Sequence, residues 1–143
     1  MEEGYKIKVN HIGFLTQDME VSIEYFMKLG GILLNRVLDE TWDVELALVK
    51  INHFVIELVK PTSNSSPVFK LSRRGPSFYH VCFEVDDIKR SIDLFTMMGF
   101  IIVDHPKPAK LFQNRLVAFL YSKGTGLIEL LEEERKDENS DCE

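Results

Sequence analysis

Ser77-Phe78-Tyr79-His80-Val81-Cys82-Phe83-Glu84-Val85-Asp86-Asp87 is the stretch on which the reading of this chain turns, because an earlier stretch repeats it. A shift of 69 positions lays His11-Ile12-Gly13-Phe14 onto His80-Val81-Cys82-Phe83 and continues without a gap until Gly30 stands over Gly99. Along it His11/His80, Phe14/Phe83, Asp18/Asp87, Ser22/Ser91, Ile23/Ile92, Phe26/Phe95 and Gly30/Gly99 are identical pairs. At a shift of 72, Ile56-Glu57-Leu58 returns as Ile128-Glu129-Leu130, so the second half holds three more residues in a loop. The chain reads as two copies of one unit, each opening on a histidine and closing on a glutamate.

Periodicity supplies the elements inside each copy. Tyr5 to Leu15 alternates as a strand does, which puts Val9, His11 and Gly13 on one face and Asn10, Ile12 and Phe14 on the other. Asp18 predicts a helix N-cap, with Met19, Ile23, Phe26 and Met27 at helical spacing and Gly30-Gly31 supplying the positive φ that ends the helix. Strands follow over about Ile32 to Leu38, Val44 to Lys50 and Phe54 to Val59, the last two joined as a hairpin through Ile51-Asn52-His53. In the last strand Glu57 shares a face with Val55 and Val59, opposite Phe54, Ile56 and Leu58. The second copy restarts at Phe78, with a strand from Tyr79 to Val85 and a helix capped by Asp86 or Asp87. That helix carries Ile88, Ile92 and Phe95 on one face and closes at Gly99. Strands near Phe100 to Asp104, Leu116 to Tyr121 and Gly126 to Leu131 complete it. The order is β, α, β, β, β, twice: module one over 5–60, a linker over 61–77 with a helical turn after Pro67, and module two over 78–132.

Composition narrows the class. At 143 residues, with 45% hydrophobic and 28% charged, the chain suits one globular domain. No apolar run approaches the ~20 residues of a membrane span and the N-terminus lacks a secretory core, so a cytoplasmic location is expected. Cys82 within a strand and Cys142 in the tail make no disulfide framework. The net charge of -6 is concentrated after Leu131, where seven acidic residues face only Arg135 and Lys136. The segment 133–143 thus reads as an acidic, disordered tail, and the nearly neutral remainder offers no basic stripe for nucleic acid. In the linker, Lys70, Arg73 and Arg74 are either solvated or meet an anionic substrate tail.

A glutamate in mid-strand between apolar neighbours is costly unless it is paired, protonated or bound to a metal. If each module packs one sheet face on its own helix, the opposite faces come together and enclose a cleft into which His11, Glu57, His80 and Glu129 all point. The fold expected is therefore α+β, two tandem βαβββ modules whose curved mixed sheets enclose a metal-binding cleft. Two imidazoles and two carboxylates suit one divalent ion, Ni, Co, Zn, Mn or Fe. The alternative is a pair of hydrogen-bonded core histidines with glutamates at strand ends in water. The duplication, which puts four ligand-type residues at two equivalent positions, favours the metal.

The paired units, opened by His11-Ile12-Gly13-Phe14 and by Tyr79-His80-Val81-Cys82-Phe83-Glu84-Val85-Asp86-Asp87, resemble the vicinal oxygen chelate superfamily. That superfamily includes glyoxalase I, methylmalonyl-CoA epimerase, extradiol dioxygenases and bleomycin-resistance proteins. The resemblance spans roughly residues 7 to 132 and is nearest to the epimerase and glyoxalase branch, through Ile56-Glu57-Leu58-Val59-Lys60-Pro61 and Gly126-Leu127-Ile128-Glu129-Leu130. It implies His11, Glu57, His80 and Glu129 as metal ligands and proton transfer next to a carbonyl or thioester as the chemistry. It makes Glu129 the first acid/base and Glu40 the second, with Glu45 in reserve, and places substrate contacts on Lys110, Gln113 and Arg115. Two departures bear on the substrate. Leu15 and Pro61 stand where glutathione-dependent glyoxalases carry an arginine and an asparagine, and Lys110-Leu111-Phe112-Gln113 replaces a Gly-Ala-His-Gly stretch of epimerases. The implied activity is a metal-dependent isomerase or lyase acting on an acyl-CoA, most like methylmalonyl-CoA epimerase. A glyoxalase I-like lyase of a thiol adduct and a non-catalytic small-molecule binding or resistance protein are the alternatives. A homodimer is the default among such relatives.

Overall fold

The structure, a computed structural model, describes residues 7–134. The predicted opening at Tyr5 and most of the acidic tail lie outside the described residues. Eight strands form one curled sheet, carried by β1 (Lys8–Leu15), α1 (Met19–Lys28), β2 (Ile32–Asp39), β3 (Val44–Ile51), β4 (Phe54–Pro61), α2 (Phe69–Ser72), β5 (Ser77–Val85), α3 (Ile88–Met97), β6 (Ile101–Ala109), β7 (Arg115–Ser122) and β8 (Gly126–Glu132). The strand order is β2-β3-β4-β1-β5-β8-β7-β6, a mixed α+β arrangement with β1 and β5 at the centre. Each opening strand pairs in parallel with the closing strand of its own module, β1 with β4 and β5 with β8, and the two openers pair antiparallel with each other.

Both helices begin as the sequence dictates. The Asp18 carboxylate accepts the Val21 amide at 3.2 Å, and Asp87, of the two candidates in module two, accepts that of Arg90 at 3.1 Å. Gly30 and Gly99 follow the two helix ends with φ of 100° and 105°, a backbone state that glycine enters without a Cβ penalty. Met19 and Ile23 of α1 pack on Ala47, Val49, Ile56 and Leu58, while Ile88, Ile92 and Phe95 of α3 pack on Ala118, Leu120, Ile128 and Leu130. These two clusters occupy the convex face. With it filled by helices, Glu57 and Glu129, one residue out of phase, are turned to the concave face.

Two segments differ from expectation. β6 runs on to Ala109 although Pro106 and Pro108 lie within it. It is the edge of the sheet, where a missing amide hydrogen costs no ladder bond, and its pairing with β7 slips at Asp104. The second concerns β1 and β5, which are bulged against each other. Asn10 is the extra residue between the Val9/Phe83 and His11/Cys82 pairs, and Tyr79 the extra residue between Phe14/Phe78 and Gly13/His80. A bulge lets two successive residues share one side of a sheet. Asn10 therefore joins His11 rather than opposing it, which corrects the simple alternation, and Val9 is turned outward, 63% exposed. Under the internal repeat the two bulged residues, Asn10 and Tyr79, are equivalents.

Candidate metal centre

The four central strands each supply one side chain to a single point: His11 from β1, Glu57 from β4, His80 from β5 and Glu129 from β8. All four are buried, at 1%, 5%, 4% and 4% exposure, and one ligand atom of each lies within 4.8 Å of the others. The two Nε2 atoms face each other at 3.4 Å. Glu129 Oε1 lies 2.9 Å from His11 Nε2 and 3.1 Å from His80 Nε2, and Glu57 Oε1 lies 3.6 and 3.7 Å from the same atoms. Close as these contacts are, Glu129 Oε1 and His80 Nδ1 are buried without a well-aligned hydrogen-bond partner among the described residues. Buried polar atoms are normally satisfied, so two orphans inside a four-residue cluster mark a place built for something else. Nitrogen and carboxylate donors converging from four strands suit a borderline divalent ion such as Zn, Co, Ni, Mn or Fe.

Electrostatics agree with that use. Burial pushes Glu57 above the usual carboxylate range, His11 draws it down, and the neighbouring Glu129 charge raises it again. Burial also acts to raise Glu129, but the two imidazoles against it reverse the effect and hold it well below its ordinary value. For His11 burial acts downward, yet the Glu57 charge and then Glu129 outweigh it and the imidazole is raised. Cys82 and Tyr79, pushed up by burial and then by the two glutamates, keep their protons.

Backbone fit accounts for the placing of His80. Its ring lies over Gly13, its partner across the β1/β5 ladder, where a Cβ would come within 2.2 Å of the imidazole. His11 is seated differently, stacked on Phe112 at 5.2 Å between ring centres with planes 7° apart.

Above the cluster opens a cavity of about 440 Å³. Glu57 and Glu129 line it from the metal side, Asp39 and Trp42 from module one, and Tyr79 and Phe119 from module two. Asp39, 3% exposed, accepts the Thr41 amide at 3.0 Å and the Lys110 amide at 3.3 Å. Trp42 Nε1 donates to Asp104 Oδ2 at 2.8 Å, which ties the β2–β3 turn to β6.

The remaining predicted residues do not line this cavity. Glu40 is exposed, and the carboxylate that reaches the cavity is its neighbour Asp39. Strand parity separates the two: Asp39 ends β2 facing inward, and the chain then turns outward. Glu45 is engaged by Arg36 at 2.6 Å. Lys110 and Gln113 are exposed, and Arg115 is half-buried on Glu84 and on the Phe112 carbonyl. Asp39 lines the cavity without having been singled out from the sequence, and its adjacency to Glu40 was the one available signal. The linker turn appears as α2, with Val68 and Leu71 against the cavity, while Lys70, Arg73 and Arg74 do not line it. Among the described residues, no helix is long and apolar enough to cross a membrane.

A family profile described as the glyoxalase/bleomycin resistance protein/dioxygenase superfamily matches residues 10–119. The chain is 27% identical over 130 residues to a mitochondrial methylmalonyl-CoA epimerase of Dictyostelium discoideum, covering 88% of this chain and 78% of that protein. It is 24% identical to an ethylmalonyl-CoA/methylmalonyl-CoA epimerase of Cereibacter sphaeroides, covering 81% of this chain and 89% of that one. Its fold is similar to the crystal structure of methylmalonyl-CoA epimerase from Mycobacterium tuberculosis, with a TM-score of 0.81, 25% identity and 94% of each chain covered.

Proposed function

The chain belongs to the glyoxalase/bleomycin resistance protein/dioxygenase superfamily, and on that premise we propose that it is a divalent-metal-dependent epimerase that moves a proton on the carbon next to an acyl-CoA thioester. The observation that carries the reading is the convergence of His11, Glu57, His80 and Glu129 at the floor of a cavity, with two orphaned polar atoms among them. Those four residues would hold the ion. When bound, it supplies Lewis-acid stabilisation of the negative charge that develops on the substrate oxygens as the α-proton leaves.

The chain's own groups do the rest. Glu129 lines the cavity beside the ion site, so it is the carboxylate we assign to take the proton. Inverting a centre requires a second acid/base on the other face, and Asp39, buried at the module-one wall, takes that role in place of Glu40. Trp42, Tyr79 and Phe119 exclude water around the reacting carbon. Support for the acyl-CoA class comes from the epimerases to which the chain is similar.

The test is solvent deuterium incorporation into methylmalonyl-CoA, followed by mass spectrometry with and without Co, Ni, Mn or Zn. Exchange should require metal, fall by at least about 100-fold in Glu129→Gln, and persist without inversion in Asp39→Asn. Full inversion by Asp39→Asn together with its loss in Glu40→Gln would return the second role to Glu40. Metal binding without exchange, alongside product from a thiol and methylglyoxal, would replace the epimerase with a lyase.

A further inference from the structure

The two histidines are held in unequal ways, and the difference begins at the bulge of β1. Asn10, turned to the His11 side by that bulge, places Oδ1 2.9 Å from His11 Nδ1 and donates from Nδ2 to Glu84 Oε2 at 3.1 Å. Arg115 Nη1 donates to the other Glu84 oxygen at 3.5 Å. Polarity fixes every orientation along this chain. An arginine can only donate, so Glu84 is the acceptor of that contact. Glu84 in turn requires the NH2 end of Asn10, leaving Oδ1 for the histidine. Since Oδ1 can only accept, His11 Nδ1 must carry the hydrogen, and the lone pair is forced onto Nε2, the atom that faces the cluster.

The segment between β6 and β7 braces the same ring. Gln113 and Asn114 both take positive φ, 52° and 62°, a tight reversal that returns Arg115 beneath Phe112. Arg115 Nε approaches the Phe112 carbonyl at 3.4 Å, its guanidinium lies 5.8 Å from the Phe112 ring, and Phe112 stacks on His11. Among the described residues no hydrogen bond reaches His80 Nδ1.

Resting on the metal reading above, we infer that Asn10, Glu84 and Arg115 are positioning residues that lock His11 as the Nδ1–H tautomer and present its Nε2 to a divalent ion. Through Phe112 and Arg115 the loop from Lys110 to Arg115 thereby acts on a metal ligand, while Leu111 and Phe112 also line the cavity. Outer partners of this kind orient a ligand and raise its basicity, and losing one weakens metal affinity about 10–100-fold.

Two readouts on the full chain test this. Nitrogen-15 NMR of the metal-free protein, recorded at a pH where His11 is neutral, should report it as a single Nδ1–H tautomer, and Asn10→Ala should give a mixture. Titration with Co or Mn should show Asn10→Ala weakened about 10–100-fold, with Arg115→Gln weakened less. The Asn10→Asp/Glu84→Gln pair, in which the carboxylate accepts from both sides, should bind more tightly than Asn10→Asp alone. A pinned tautomer in Asn10→Ala, or affinities within twofold of the parent in both single variants, would overturn the inference. Failure of the parent to bind any divalent ion would instead overturn the metal reading, with the tautomer measurement still deciding the inference.

Discussion

The first and second βαβββ modules hold the same residues at the same places and use them differently. His11 and His80 are equivalents, yet one is held at Nδ1 by Asn10 and the other receives no hydrogen bond at Nδ1 among the described residues. Asn10 and Tyr79 are equivalents produced by matching bulges, yet Asn10 turns toward Glu84 and Tyr79 lines the cavity, 4.4 Å from the His80 ring centre. Glu57 and Glu129 are equivalents, yet one is raised and the other lowered. Duplication accounts for the convergence of four ligands. The later differences make the two histidines unequal: His11 is braced by Asn10 of its own module and by Glu84, Arg115 and Phe112 of the other, while both modules line the cavity.

The strongest way to break this contrast is through Gly13 and Cys82, which are equivalent and stand opposite the other module's histidine. Gly13→Ala puts a methyl group 2.2 Å from the His80 ring, and the ring must leave the cluster. Metal affinity should fall by at least the about 100-fold that marks the upper end of outer-partner losses. Cys82→Ala, by contrast, empties a little buried volume behind His11, which Phe112 and Asn10 keep in place. It should cost on the order of 1 kcal/mol of stability and leave affinity within threefold. Titration calorimetry paired with thermal unfolding reads both quantities, and equal affinity losses in the two variants would show that the histidines are seated alike after all.

A smaller effect follows from pH. The metal-free His11 is raised above 6.5 chiefly because the Glu57 and Glu129 charges overcome its burial. A group raised in the folded state stabilises the metal-free protein fully below its unfolded value, and that contribution is lost as pH rises through the folded value. A metal must displace this proton, so apparent affinity should climb, by up to about tenfold per pH unit, from 6.5 until the raised value is passed, and then level off. Calorimetry in buffers of different ionisation enthalpy should register proton release on metal binding at pH values below the raised one. Release of none would mean that Glu57 and Glu129 do not hold a proton on His11.

How far the sequence carried the reading depends on the element. The helices, their aspartate caps, the glycines at their ends and the parity of Glu57 and Glu129 were legible because each is a local pattern repeated in two copies. The grouping of the four ligands was legible from the repeat alone. The bulges were not. An extra residue in one strand leaves no local mark, so Asn10 was put on the wrong face and the approach of Arg115 to Glu84 went unseen. That Asp39 and not Glu40 lines the cavity was hidden for a related reason: where a strand gives way to a turn, one residue of offset decides between cavity and solvent. The Lys110–Arg115 loop was read as a substrate loop because the resemblance puts it where epimerases carry a Gly-Ala-His-Gly stretch. Its geometry instead directs Arg115 inward, onto Glu84 and Phe112.

The smallest effect probes where the two modules remain alike. Asp18 and Asp87 cap α1 and α3 with nearly identical bonds, 3.2 and 3.1 Å, from extended backbone at φ -137° and -136°. Neither aspartate reaches the cavity lining, and each helix packs on the convex face away from the ligands. Asp18→Ala and Asp87→Ala should therefore each cost about 1 kcal/mol in denaturant unfolding, with metal affinity unchanged. Their double variant should cost about the sum, because the caps lie on separate helices and share no partner. A shortfall from additivity would mean that the two modules unfold one before the other. The inequality now visible at His11 and His80 would then extend from the ligands to the stability of the modules that carry them.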